Sequence, residues 1–275
     1  MSSRDNEMAS IVSDYTLVLG LDRKHLDQLR LVWPTWQKHK PTTLKHPIVI
    51  FYDRYEIMPD EIERVVGDVD LTLVDWPPFG VLYSGDNNSK WYHPQRSKML
   101  SGFVHTAASH VKTQYWLKLD TDVVAIGQDD WVPQELSIGL PAIVAHPWSF
   151  TKPPDQIQIL DRWVYDNRDI LPDYIQSYGT VTSQIGEPKE GSSRIGHKRI
   201  ISWCAFFNTR FTRDIARWAE DISGNGKLPV PSQDGYMWYM AKRLQKDIVR
   251  TSMKERGWEH WCTDKNIRRA AERAL

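Results

Sequence analysis

Cysteine is scarce in this chain of 275 residues: there are two, Cys204 and Cys262. Two thiols at this length make no disulfide framework, and the expectation is a reduced, cytosolic protein. Cys204 lies in the apolar run Trp203-Cys204-Ala205-Phe206-Phe207 and reads as a small core residue. Charge of one sign is also missing. Lys+Arg and Asp+Glu each total 35, so the formal net charge is zero. A general nucleic-acid binder needs a basic surplus to meet phosphates, and that class is set aside. Long apolar runs are absent too. None nears the roughly 18 residues of a spanning helix. The opening MSSRDNEMAS holds no apolar signal core, so a chain without a membrane segment is expected. No internal repeat, low-complexity tract or clean linker divides the chain, and one domain over residues 1–275 is the reading.

What is plentiful is tryptophan, at 13 residues. Flat amphipathic rings suit stacking on sugars or bases, and they equally suit the core of a large domain. The first half alternates between two periods. Tyr15 to Leu21 is a continuous apolar strand of the kind buried on both faces. Asp22 can cap the helix over 23–38, in which Pro34 should force a bend or an end. Strands follow at 47–52 and 71–74, with a short helix around 60–66 between them. A helix over 95–111 and a strand over 115–119 complete this half. Strand, helix, strand in succession predicts βαβ units on a parallel sheet. The second half is less regular. Strands are expected at 142–146, 200–208 and 246–250, and helices at 155–167, 211–221, 234–245 and 264–275.

The strand Tyr115-Trp116-Leu117-Lys118-Leu119 runs straight into Asp120-Thr121-Asp122. In extended chain, residues i and i+2 share a side, about 6 to 7 Å apart. Two carboxylates so placed repel each other unless a cation lies near. Hard divalent ions take such oxygens and also bind phosphate. Ligands of parallel sheets sit outside the carboxyl ends of the strands, where this pair lies. The same pattern at Asp68-Val69-Asp70 precedes a strand, at the wrong end of the sheet, and reads as a solvated loop.

The order of elements and the stretch Tyr115 to Val123 resemble the GT-A class of nucleotide-sugar glycosyltransferases. The resemblance covers about residues 14 to 262. It implies an α/β fold with a mostly parallel, Rossmann-like sheet flanked by helices and an elaborated acceptor-side half. Within it, 14–125 would be the nucleotide-binding half, 126–262 the acceptor and metal half, and 263–275 a terminal helix. It implies a Mn²⁺ or Mg²⁺ ion that grips the donor diphosphate. Carried over, Asp122 would be a direct metal ligand and Asp120 would touch the metal through water or the donor ribose. His260 would be the late further ligand, or else a histidine packed between tryptophans. Asp53, at the end of the second strand, would meet a base or ribose, or cap a turn. Arg96 and Lys98 open a helix whose dipole they oppose, which a nearby anionic donor would explain, Arg96 being the donor contact. Asp234 would be the base that takes the acceptor's proton, or an N-cap. Gln233 and Trp203 would face the acceptor, a core role being as compatible with Trp203. The basic loop 191–199 would either close over the donor or lie on the surface. The implied partners are a UDP- or GDP-sugar and a carbohydrate or other hydroxyl acceptor, with no nucleic acid.

Three other readings compete. Asp120-Thr121-Asp122-Val123-Val124 also fits the motif of haloacid-dehalogenase-like phosphohydrolases, but that motif sits on an early strand and needs a later Gly-Asp-x-x-x-Asp, which is missing here. A non-catalytic relative that binds nucleotide or glycan without turnover is the second. A nucleotidyltransferase would want a glycine-rich loop after the first strand, and Gly20-Leu21-Asp22-Arg23-Lys24 is too poor in glycine.

Overall fold

The structure is a computed structural model that describes residues 14–76, 107–127, 129–148, 162, 166, 199–215, 240–241, 247–261 and 263–275. Its strands are β1 (Tyr15–Leu21), β2 (Ile48–Asp53), β3 (Leu71–Trp76), β4 (Tyr115–Leu119), β5 (Val123–Ala125), β6 (Ile143–Trp148), β7 (Arg199–Asn208), β8 (Ile248–Arg250) and β9 (Trp258–His260). Seven of them form one sheet in the order β3-β2-β1-β4-β7-β6-β8. The pairings β3–β2, β2–β1, β1–β4 and β6–β8 are parallel, and β7 runs antiparallel to both neighbours. The apolar runs explain the centre. β1 and β2 are covered on both faces, so almost every side chain along them is buried. The chain steps from β1 outward to β2 and β3, then returns to place β4 on the other side of β1. That reversal makes a crevice at the carboxyl ends of β1 and β4.

Helix α1 (Arg23–His39) opens under the Asp22 cap, whose carboxylate accepts the His25 N–H at 2.8 Å. The helix runs past Pro34 to His39, close to the expected range of 23–38, so the proline does not end it. Proline forfeits one ladder bond, but Trp33 and Trp36 are buried on either side of it and hold the helix to the core. Trp36 donates its indole N–H to the Val123 carbonyl at 2.7 Å. Thr35 accepts the Ala125 N–H at 3.1 Å. These two bonds fasten α1 to β5, a strand the hydrophobic pattern does not reveal. β5 pairs antiparallel with β9 in a separate two-stranded sheet. α2 (Pro59–Val66) lies between β2 and β3. The last helix, α3 (Asp264–Ala274), buries Ile267, Ala270 and Ala271 and packs against α1 and β5.

Most tryptophans among the described residues are core. Trp33, Trp36, Trp116, Trp131 and Trp258 are fully buried. Edge-on contacts run from Trp36 to Trp258 at 5.8 Å and from Trp258 to Trp131 at 5.0 Å. No helix among the described residues is long and apolar enough to cross a membrane. Residues 107–110 are helical within the helix expected at 95–111, which stops one residue early, before Val111, and residues 209–215 are helical close to the start of that expected at 211–221; the rest of both, and the helix at 155–167 except for two helical residues, lie outside the described residues.

Candidate metal centre

The centre forms where β4 gives way to β5. The Asp120 N–H continues the ladder with β7, donating to the Trp203 carbonyl at 2.8 Å. Thr121 turns inward, 2% exposed, and donates its hydroxyl to Gln28 Oε1 at 3.2 Å. Gln28 in turn donates to Asp264 at 2.9 Å, so the turn between the two aspartates is tied to both α1 and α3. Asp122 then enters β5. Val123 lies opposite His260, and the Asp122 carbonyl accepts the Trp261 N–H at 3.1 Å. The small sheet thus sets Asp122 beside His260. Donor atoms of Asp120, Asp122 and His260 all lie within 4.8 Å of one another.

Electrostatics at the centre are unbalanced. Lys118, on the same side of β4, pairs its ammonium with Asp120. His260 Nε2 lies 3.3 Å from Asp122 Oδ2. Burial pulls the His260 imidazole down, but the hydrogen bond and charge of Asp122, with the charge of Asp120, outweigh it and raise its pKa above the ordinary value. Asp122 Oδ1 is buried with no hydrogen-bond partner. A carboxylate oxygen desolvated without a donor is costly. Two carboxylates and one imidazole whose donor atoms lie this close together, with one carboxylate oxygen unpartnered, fit a divalent cation.

The other expected residues fall as follows. Asp53 ends β2, 1% exposed, and its carboxylate accepts the Tyr55 N–H at 2.9 Å, the geometry of a turn cap. Trp203 is 5% exposed, and its ring packs against both His260 and His146. Arg96, Gln233 and Asp234 lie outside the described residues, as does loop 191–198. Asp68 and Asp70 are exposed at the amino end of β3, as expected of a solvated loop. Sequence reasoning missed Lys118, Gln28 and His146. Lys118 carried a signal: a lysine interrupting a buried strand two residues before an aspartate. Gln28 and His146 carried none, because their partners are distant in the chain. Beside Gln28, a cavity of about 860 Å³ opens along the first turns of α1, lined among others by Asp22, Lys24, Asp264 and Arg268.

No protein-family model and no curated protein matches the sequence. Solved structures do. Core-mannan synthase A from Aspergillus fumigatus, in its Mn/GDP form, superposes with a TM-score of 0.53 at 10% identity, over 92% of this chain and 76% of that one. The mannosyltransferase Ktr4p from S. cerevisiae, in complex with GDP, gives 0.51 at 13% identity, over 90% of this chain and 71% of that one. The chain has the GT-A fold. At such identities the likeness is one of backbone path. In this chain the Asp120-Thr121-Asp122 turn follows β4 at the crevice. Three strands precede β4, the strand that carries the motif, which removes the early-strand placement that a haloacid-dehalogenase-like phosphohydrolase needs.

Proposed function

We propose that this chain is a metal-dependent glycosyltransferase that moves a sugar from a nucleoside-diphosphate donor to an acceptor hydroxyl. The observation that carries the reading is the convergence of Asp120, Asp122 and His260 at the carboxyl end of β4, with Asp122 Oδ1 buried and unpartnered. These three residues would hold Mn²⁺ or Mg²⁺, whose chemistry is to neutralise charge on the departing diphosphate. Lys118 moderates the repulsion between the carboxylates and sets Asp120 by its ion pair. The Thr121–Gln28–Asp264 chain fixes the turn, so the carboxylates need not reorganise on binding. Asp234 is proposed as the base that takes the acceptor hydroxyl's proton, which makes the transfer inverting. Arg96 and Asp53 are proposed for the donor and Gln233 for the acceptor side. The two solved neighbours carry GDP in their descriptions, and GDP-sugars are the first donors to try.

The test is release of nucleoside diphosphate from a panel of GDP- and UDP-sugars. Release from one donor class with Mn²⁺ or Mg²⁺, stopped by EDTA and absent in Asp122→Ala, is the expected result. Release that survives EDTA or the substitution would sink the reading.

A further inference from the structure

We propose that His146 is a positioning residue for His260, acting through the Trp203 ring and through the backbone at Met253; this rests on the metal-centre reading above. His146 lies near the carboxyl end of β6, where the β6–β7 register shifts between Ala145 and His146. Irregularities of this kind re-aim a side chain. Here the imidazole comes to lie 5.3 Å from the Trp203 ring, centroid to centroid, tilted by 46°. Trp203 in turn stacks on His260 at 5.6 Å with the planes 11° apart. The same Trp203 holds Asp120 through its carbonyl. One residue therefore touches two corners of the centre, and His146 braces it.

The second route is polar. His146 Nδ1 accepts the Met253 N–H at 3.2 Å, so its proton sits on Nε2. Burial holds this imidazole below its ordinary pKa, against the charge of Glu255, and keeps Nδ1 an acceptor. The Met253 carbonyl accepts the Trp258 N–H at 3.0 Å, and Trp258 opens β9, the strand that His260 ends. Ring contact and backbone bond thus converge on His260 from one side chain. Phenylalanine would supply the ring without the acceptor, and asparagine the acceptor without the ring. His146 itself is not among the groups whose donor atoms converge at the centre. Outer partners of a metal-bound histidine set its ring orientation, and their loss typically costs 10- to 100-fold in metal affinity.

The experiment is a Mn²⁺ titration of the full chain followed by electron paramagnetic resonance. It compares wild type with His146→Ala, His146→Phe, His146→Asn and Asp122→Asn. His146→Ala should weaken Mn²⁺ binding by about 10-fold, with Phe and Asn each restoring part of the loss. A second readout needs no metal. The His260 ring proton Hε1, assigned from His260→Gln, should sit upfield over the Trp203 indole and move toward its free value in His146→Ala and less in His146→Phe. Loss of Mn²⁺ binding in Asp122→Asn with unchanged binding in His146→Ala overturns the inference and leaves the centre standing. Unchanged binding in both overturns the centre and the inference with it.

Discussion

Lys40 closes α1 with its side chain turned inward, fully buried. Its ammonium donates to the carbonyls of Gly127 at 2.7 Å and Arg256 at 2.9 Å, and lies 5.3 Å from the Trp258 ring centre. Nothing in the sequence around it, His39-Lys40-Pro41, separates it from a solvated lysine. Its carbonyl and indole partners lie 87 residues or more along the chain, which is why it was illegible. Burial depresses its pKa to about 8, against the pull of Asp129. The sign follows. Unfolded, the amine keeps its proton up to the ordinary 10.5; folded, it gives the proton up near 8. Between those values the unfolded chain binds more protons, so stability rises with pH there. Below about 8 the cost of the buried charge is fully present, and above 10.5 it is gone. Urea unfolding at pH 7, 8.5 and 10 should therefore show wild type gaining on Lys40→Met as pH rises. The Cys204 thiol, pushed up by burial, opposes the gain at high pH but is common to both proteins. A difference that stays flat across this range contradicts the assignment.

At the scale of elements, the pair β5–β9 is the piece on which the centre depends, and it is the piece the sequence hid. Three residues each, Val123–Ala125 and Trp258–His260, are too short to show a period. β1, β2, β4 and β7 were legible because each is a contiguous apolar run, and the placement of the carboxylates followed from β4 alone. The sequence did offer His260 as a late ligand, but only by resemblance; its seat opposite Val123 is a matter of pairing across the whole second half. Gly257 makes that pairing possible. It sits at φ +80°, and a Cβ there would lie 2.2 Å from the Ile126 carbonyl oxygen and 2.7 Å from that of Gly127. Both are backbone atoms that cannot swing away. Gly257→Ala should cost about 1–3 kcal/mol from backbone conformation alone, with more from the clash, and should weaken Mn²⁺ binding because His260 is three residues on. Calorimetric melting and a metal titration of the variant check both halves. An unchanged melting temperature would show that the turn is not held as described.

At the scale of the whole molecule, a neutral chain builds a local site of high charge. Net charge is zero, yet Lys118, Asp120, Asp122 and His260 crowd the reversal in strand order beside β1. The composition therefore says little about the ligand, and the topology says where to look. The carboxyl end of β4 was readable because βαβ order predicts which end of a strand faces ligands. The antiparallel insertion of β7 beside it was not, because an apolar run such as Trp203–Phe207 reads the same in either direction. The central claim is that Asp120, Asp122 and His260 join a divalent ion to a nucleoside diphosphate. Isothermal titration of GDP, UDP and CDP into wild type and Asp122→Ala, each with Mn²⁺ and with EDTA, tests it most directly. The account predicts that one nucleotide binds only with Mn²⁺ and that the binding vanishes in Asp122→Ala. Metal-independent binding of equal strength in both proteins, or no binding of any of the three with Mn²⁺, would contradict it.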